Sequence, residues 1–122
     1  MKLHAAVPGT YNIVSAYGAD YVAVNGQRYA SSLIVTPDQV VAWDVAEFAK
    51  LTLQDFEKLK ALAADIVLLG TGPRQRFPHP SLTTPLAQAR IGLEVMDLKA
   101  ACRTYNILVA EERKVAAALL FA

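Results

Sequence analysis

Cysteine and histidine are scarce in this sequence. The 122 residues include one cysteine, Cys102, and two histidines, His4 and His79. A lone cysteine cannot form an intramolecular disulfide, and this usage is typical of proteins from a reducing compartment. The histidines lack the spacing of a metal site, such as two histidines one helical turn apart. We therefore expect neither a metal ion nor a cofactor.

Long apolar runs and an excess of one charge are also missing. The longest apolar stretch, Val115 to Ala122, is far shorter than the roughly 20 residues of a membrane-spanning helix. Residues 1–4 lack the apolar core of a secretory signal, so we expect a cytoplasmic protein without membrane insertion. The formal net charge is +1, whereas nucleic-acid-binding proteins usually carry a basic excess. We therefore expect no nucleic-acid partner.

The charge is divided unevenly along the chain. Residues 1–65 contain five Lys or Arg and seven Asp or Glu, a net charge of −2. Residues 66–122 contain seven and four, a net charge of +3. This difference favours a small anionic ligand or an anionic partner for the second half, although charges scattered over the surface explain it equally well.

The remaining composition predicts one folded domain over residues 1–122. Hydrophobic residues make up 54% of the chain and charged residues 19%, which excludes intrinsic disorder. Residues 11–17 and 21–29 are rich in β-formers, and Asn25-Gly26 in the second stretch predicts a hairpin with a type I′ turn. Residues 33–35 and 40–43 predict two further strands on either side of a turn.

A helix is predicted from Thr52, whose hydroxyl can form a capping box with Asp55. Helical spacing places four apolar residues on one face of this helix, which we expect to be buried, and directs three others away from that face. The buried set is Leu53, Phe56, Leu59 and Ala63, and the set turned away is Asp55, Lys58 and Leu62. Residues 66–69 are short, apolar and without alternation, as expected of a central strand that is covered on both faces.

The second half predicts alternating helices and strands. After a loop over residues 70–79, a helix is predicted at 80–90, and its start could be as late as Thr84 because Pro85 is tolerated only near the first turn. A strand at 92–96 and a helix at 98–110, capped by Asp97, follow. Residues 114–121 close the chain as a strand, with a helix as the alternative. The order β-α-β-α-β predicts an α/β fold with parallel strands.

Several segments resemble a known family. They are residues 68–78 (LLGTGPRQRFP), 94–97 (EVMD) and 100–108 (AACRTYNIL), then Glu111, Arg113 and Val115, with Trp43-Asp44-Val45 as a further match. Together they resemble the Mth-type family of small proteins of unknown function, whose relatives include the mitochondrial complex I assembly factor three and a human adipogenesis-associated protein. The resemblance covers nearly the whole chain.

The resemblance implies a three-layer β+α/β/α fold around a mixed, partly parallel sheet with an N-terminal β-hairpin. It does not imply an enzyme, since the mitochondrial relative acts by association during assembly of a membrane complex. Our first hypothesis is therefore a non-enzymatic binding or assembly module that acts by protein–protein contacts. Such a surface is expected as an exposed apolar patch, with Trp43 or Arg103 at its edge, although Trp43 is more typical of a packing residue.

The second hypothesis is a small-molecule or anion-binding protein, or a weak enzyme. Gly70-Thr71-Gly72 follows a predicted parallel strand, where ligands of open α/β sheets usually bind. Glycines expose backbone amides, and Arg74 and Arg76 can donate to an anion. The spacing fits neither a dinucleotide fingerprint nor a P-loop. A tight turn with solvated or paired arginines is the structural alternative.

The third helix carries further candidates. Its predicted apolar stripe comprises Leu98, Ala101, Cys102, Tyr105 and Leu108, so Cys102 is expected to be a buried structural thiol rather than a nucleophile. Lys99, Arg103 and Asn106 share another face. Arg103 and Asn106 could complete an anion or partner site if that face meets the glycine segment, or Asn106 could bond backbone groups of a neighbouring loop. No set of acids, bases and nucleophiles predicts a catalytic site.

Overall fold

The structure, a computed structural model, describes residues 11–122; His4 and the start of the chain lie outside the described residues. Within that range five strands precede the first α-helix, and strands and helices alternate after it, as the sequence predicts. The strands are β1 (Val14–Tyr17), β2 (Val22–Val24), β3 (Gln27–Tyr29), β4 (Leu33–Val35), β5 (Val40–Ala42), β6 (Ile66–Thr71), β7 (Gly92–Met96) and β8 (Val115–Leu120). The helices are α1 (Leu53–Lys60), α2 (Pro80–Gln88) and α3 (Leu98–Ala110), and a short 3-10 helix covers Phe48–Lys50.

The predicted hairpin is confirmed. Strands β1, β2 and β3 form a small antiparallel sheet in that order, and Val24 pairs with Gln27 across the turn. Asn25 and Gly26 have φ angles of 50° and 87°, which are the left-handed values that a type I′ turn requires. The predicted first strand is shorter than expected, beginning at Val14.

The second sheet is mixed and has the strand order β5-β4-β8-β6-β7. Strand β6 pairs in parallel with both β7 and β8, whereas β4 pairs antiparallel with β5 and β8. Ile66 at the start of β6 lies opposite both Gly92 and Val115. The prediction of an interior parallel strand at residues 66–69 is therefore confirmed, and residues 114–121 contain a strand rather than a helix.

Helices and the small sheet cover the two faces of the mixed sheet. On one face, α3 and strands β1 and β2 pack on Leu68, Ala117 and Leu119. On the other face, side chains of α1 and α2 and the loop residue Trp43 pack on the alternate residues Val67 and Leu69. Period-two alternation therefore divides each interior strand between two cores. The predicted three-layer β+α/β/α architecture is confirmed, as is Trp43 as a packing residue.

The buried face of α1 differs from the prediction. Phe56 and Leu59 are fully buried as expected, but Leu53 is 45% exposed and Asp55 is buried. The capping box explains the difference, because the Asp55 carboxylate accepts hydrogen bonds from both the backbone N–H and the hydroxyl of Thr52, at 2.8 and 3.0 Å. These bonds satisfy the carboxylate where it is buried. Ala63 lies beyond the helix, with a φ angle of 57°.

The start of α2 at Pro80 makes the alternative start at Thr84 wrong. The His79 ring nitrogen accepts from the backbone N–H of Ser81 at 3.1 Å, which caps the helix. Pro85 lies beyond the first turn and has no N–H to donate to the Ser81 carbonyl. The hydroxyl of Thr84 donates to that carbonyl instead, at 3.4 Å, which provides a replacement for the missing backbone bond.

Candidate functional site

The glycine segment lies at the carboxyl end of β6, but it is not the loop that the sequence predicts. Strand β6 extends to Thr71, so Gly70 and Thr71 are buried strand residues and the loop begins at Gly72. A Cβ atom on Gly70 would lie 3.1 Å from both the Cβ of Ala101 and the Cδ2 of Leu119. Gly70 therefore permits α3 to lie directly on the sheet, which is a packing role rather than an exposed amide.

Thr71 and Gly72 shape the turn that follows. The buried Thr71 hydroxyl donates to the carbonyl of Arg74 at 2.7 Å and accepts from the backbone N–H of Arg76 at 3.0 Å. Gly72 has a φ angle of +82°, and a Cβ there would lie 3.1 Å from the carbonyl oxygen of Phe121. Both residues are thus required by the backbone path, so their presence is explained without a ligand.

The two arginines of the predicted anion site have different surroundings. The Arg76 guanidinium donates to the Thr71 carbonyl at 2.6 Å and lies over the Phe48 ring, 4.7 Å from its centroid. Its buried Nε has no hydrogen-bond partner within the described residues. Arg74 is exposed to solvent. Arg76 is therefore held by a carbonyl and an aromatic ring, while Arg74 remains in water.

A cleft of about 210 Å³ does lie at this edge of the sheet, between Gly72 and the N-terminus of α3. Its lining residues are Gly18, Ala19, Gly72, Pro73, Asp97, Leu98 and Lys99. Leu98 donates its N–H to the Gly72 carbonyl, and Asp97 accepts from the N–H of Ala100, both at 2.8 Å. The Asp97 carboxylate adds a negative charge to the cleft. Among the predicted site residues, Gly72 lines this cleft, whereas Arg74 and Arg76 do not.

Asn106 joins α3 to the small sheet. Its side-chain oxygen accepts from the N–H of Val14 and its amide nitrogen donates to the carbonyl of the same residue, both at 2.8 Å. Tyr105 adds a bond from its hydroxyl to the Asn12 carbonyl at 2.8 Å. Asn106 thus satisfies the open edge of β1 as a neighbouring strand would, which is the backbone-bonding alternative, with a strand in place of a loop.

Arg103 lies on the exposed side of α3. Its Nη1 donates to the Tyr17 hydroxyl at 3.4 Å, near the limit of a hydrogen bond. The predicted face of Lys99, Arg103 and Asn106 is therefore divided between different neighbours. Lys99 lines the cleft at Gly72, whereas Arg103 and Asn106 contact strand β1.

Cys102 is fully buried in the core between α3 and the sheet. Burial raises the pKa of its thiol from 9.0 to about 12. The reactive form of cysteine is the thiolate, so this thiol is unreactive at neutral pH. The prediction of a structural cysteine is confirmed.

Stability should fall as the pH rises above about 9, because burial raises the pKa of both Cys102 and Tyr105. The folded state retains protons that the unfolded state loses, so each group weakens the fold by about 1.4 kcal/mol per pH unit between its unfolded and folded pKa values. We expect Cys102→Ala to show a shallower loss of stability than wild type in urea unfolding between pH 8 and 11 under reducing conditions. Parallel curves for the two proteins would contradict this expectation.

A groove of about 590 Å³ lies on the surface near Thr36–Gln39 and Ala61–Ala64. Its charged lining residues are Asp38 and Lys114. It is larger than the cleft at Gly72, but it contains none of the residues that the sequence identified as candidates. Its polar side chains among the described residues, Thr36, Asp38, Gln39 and Lys114, are exposed or half-buried, so we assign the groove no function.

The feature that sequence reasoning missed is a groove beside strand β7 that is lined by both apolar and polar residues. Phe77 is 70% exposed, although it lies within a segment of the family resemblance. It borders a groove of about 510 Å³ whose lining includes Gln75, Leu93, Glu94 and Val95. One signal could have identified it: an aromatic residue directly before Pro78, in a loop with no apolar periodicity to direct it into a core.

The described residues contain neither a group of metal ligands nor a membrane-spanning helix. Within residues 11–122, no three His, Cys, Asp or Glu side chains are grouped as a metal ion would require. No helix in that part of the chain has both the length and the apolar character needed to cross a bilayer.

Comparison with solved structures supports the fold. A crystal structure of a Bordetella parapertussis protein is 39% identical, with a TM-score of 0.87 over 93% of this chain and 98% of that chain. A solution structure of a Bordetella pertussis protein, described as a Mth938-like domain, is 34% identical, with a TM-score of 0.83 over 98% of this chain and 92% of that chain.

Two curated relatives carry descriptive names. Bovine NADH dehydrogenase [ubiquinone] 1 alpha subcomplex assembly factor 3 is 32% identical over 109 residues, which are 88% of this chain and 59% of the relative. A Francisella tularensis protein named 13 kDa major membrane protein is 27% identical over 99 residues, 80% of each chain. This chain thus spans less than two thirds of the length of the assembly-factor relatives.

The family itself is established by a profile match over most of the chain. The family described as protein of unknown function (DUF498/DUF598) matches residues 14–120. The match extends from the first strand to the last, and the resemblance to Mth-type proteins predicted from the sequence is confirmed. The chain therefore belongs to the DUF498/DUF598 family of proteins of unknown function.

Proposed function

We propose that this chain is a non-enzymatic binding module that acts in the assembly of other proteins through protein–protein contacts. The observation that carries the proposal is Phe77, whose side chain is 70% exposed beside the edge strand β7. Burial of a phenylalanine side chain stabilises a complex by about 1.5–3 kcal/mol relative to leaving it in water. A partner that covers Phe77 would gain this free energy.

Phe77 differs in its surroundings from other exposed apolar residues. Within residues 11–122 the other strongly exposed large apolar side chains are Val41, Leu53 and Ile107, which lie on separate elements, and Ile13, which precedes β1. Single exposed side chains of this kind are normal. Phe77 instead borders a groove whose lining also includes the apolar residues Pro78, Leu93 and Val95. Apolar side chains grouped around an exposed groove are typical of interaction sites.

The relatives add support of a different kind. Several are named as assembly factors for NADH dehydrogenase, and assembly factors act on protein partners. That this chain also acts on a protein partner is part of the proposal. Location in the cytoplasm remains a prediction from the sequence, and one relative is named as a membrane protein.

Anion binding at Gly70-Thr71-Gly72 with Arg74 and Arg76 remains the alternative function. It required a concavity that both arginines border. The cleft at Gly72 is bordered by Asp97 and Lys99 instead, and Arg76 contacts Thr71 and Phe48. The geometry therefore favours the protein-binding proposal.

Photo-crosslinking tests the proposed function. A benzophenone-containing phenylalanine analogue is placed at Phe77 in cells, and the same analogue is placed at Ile107 as a control, since Ile107 is 58% exposed on α3. We expect irradiation to give a discrete adduct with another protein from position 77 and none from position 107. Absence of an adduct at 77, or the same adducts from both positions, would contradict a binding surface at Phe77.

A further inference from the structure

We propose that strand β7 is extended by an added strand, and that the added strand is an apolar segment of a partner protein with a Lys or Arg opposite Glu94. This inference rests on the proposed function and names the partner chemistry of the same surface. It depends on which backbone groups of β7 are available, which side chains flank them and which charge they present.

Within residues 11–122, the outer edge of β7 has no neighbouring strand. In the sheet β7 pairs with β6 alone, and the Gly92 N–H points to that side, where it donates to the Asp65 carbonyl at 3.0 Å. The N–H and C=O groups of successive strand residues point to alternate sides. Leu93 and Val95 therefore direct their backbone groups outward, away from β6.

One outward group is already covered by a side chain. Gln75 donates its side-chain amide to the Val95 carbonyl at 2.9 Å, and both of these groups lie at the rim of the groove. This bond confirms the outward direction of Val95, and it shows that the edge accepts a donor of amide chemistry. Exposed edges are usually protected by charged residues, proline or a covering segment. Among the described residues, none bonds the outward N–H and C=O of Leu93, so these groups can pair with the backbone of another chain.

The side chains around the edge select the partner. Leu93 and Val95 pack toward the core that α1 and α2 cover, and Phe77 and Pro78 border the same groove. Residues of an added strand that face this side would therefore be apolar. Peptide recognition by strand addition uses backbone bonds for affinity and alternate side chains for specificity.

The charge of Glu94, which lies between Leu93 and Val95, determines which partner residue fits opposite it. Glu94 is exposed, and of the described residues that line the groove it is the one with a charge. Its side chain projects from the opposite face of the strand to Leu93 and Val95. A Lys or Arg directly across from it forms a favourable cross-strand pair, whereas a like charge there is destabilising. Antiparallel pairing of two copies of this chain about Glu94 would place two carboxylates together, which disfavours that register for a second copy, whereas a different protein can supply a Lys or Arg there.

The test combines the photo-crosslinker at position 77 with variants of β7. We expect Glu94→Lys to lower the adduct yield by about tenfold, because a basic partner residue would then face a like charge. Glu94→Gln, which removes the charge without reversing it, should have a smaller effect. Leu93→Pro removes the outward N–H and should abolish the adduct, while the matched Leu93→Ala changes the side chain but keeps that N–H.

The outcomes distinguish this inference from the proposed function. If position 77 gives an adduct that neither Glu94→Lys nor Leu93→Pro reduces, the binding surface stands and strand addition is overturned. If position 77 gives no adduct, both fail. Sequencing of the crosslinked peptide should find an alternating apolar segment with Lys or Arg, and a peptide from this chain itself would overturn the choice of partner. Should Leu93→Pro fail to fold, as judged by thermal unfolding, the Glu94 variants decide the result.

Discussion

Replacement of Asn106 by Ala is expected to destabilise the protein by about 2–4 kcal/mol, a large fraction of the stability of a domain of this size. The Asn106 amide donates to and accepts from the backbone of Val14, so its loss leaves two part-buried backbone groups without partners. These bonds also attach the small sheet to α3. We therefore expect the variant to unfold at a lower urea concentration than wild type. Its amide exchange should also be faster than in wild type, and the increase should be larger in β1 than in the larger sheet.

The control for Asn106 is its neighbour on the same helix, Arg103→Ala. Arg103 is exposed and its bond to Tyr17 is 3.4 Å long, so its removal should change the free energy of unfolding by less than about 0.5 kcal/mol. Equal effects of the two substitutions would show that Asn106 does not hold the small sheet. A fully stable Asn106→Ala protein that loses only partner binding would return Asn106 to the candidate site residues.

Gly70→Val is expected to destabilise the protein by about 2–3 kcal/mol, because it adds a branched side chain where no space exists. A Cβ atom alone would lie 3.1 Å from Ala101 and Leu119 and 3.4 Å from the Cα of Leu98. The Cβ of Ala101 is fixed by the backbone of α3, so a rotamer change cannot relieve that contact. Urea unfolding of Gly70→Ala and Gly70→Val should show a loss that grows with side-chain size.

Gly92→Ala is the matched control for Gly70. Gly92 is also a strand residue of the same sheet, but the nearest atom to a Cβ placed there is 3.7 Å away, which is an ordinary contact. We expect its stability to be close to that of wild type, or slightly higher, since alanine restricts the unfolded chain.

Phosphate should not stabilise wild type more than Gly70→Ala. A loss of phosphate binding without a loss of stability in Gly70→Ala would support the anion site instead.

Local chemistry explains why much of the fold could be predicted. The turn at Asn25-Gly26, the cap at Asp97 and the capping box at Thr52 each depend on residues that are adjacent in sequence, and each is present in the structure. The alternation of helices and strands after residue 66 is likewise set by local apolar patterns. The family segments predicted the three-layer architecture, which pattern alone would have left more open.

Two errors arose where a hydrogen bond between residues of the same turn overrides the periodic apolar pattern. The capping box holds the Asp55 carboxylate where the core covers it, whereas helical spacing turned that residue outward. Pro85 is accepted inside α2, where Thr84 donates to the carbonyl that it leaves free. In both cases a hydrogen bond compensates for a feature that the periodic pattern alone would place elsewhere.

The candidate site shows more clearly what the sequence can determine and what only the tertiary structure decides. Sequence determined that Gly70, Arg76 and Asn106 occupy special positions, because glycine, arginine and asparagine stand out from the apolar pattern around them. It could not determine their partners, which lie on other elements: Ala101 on α3 for Gly70, and Val14 on β1 for Asn106.

The sequence by itself determined the fold class, the burial of Cys102 and the family. Only the tertiary structure decided that Asn106 bonds a strand edge and that Phe77 lies exposed beside β7. The physical reason is that helix caps, turns and periodicity act between residues close along the chain. Exposure of an edge or of a loop side chain depends on which distant segments pack nearby, and no local pattern records that packing.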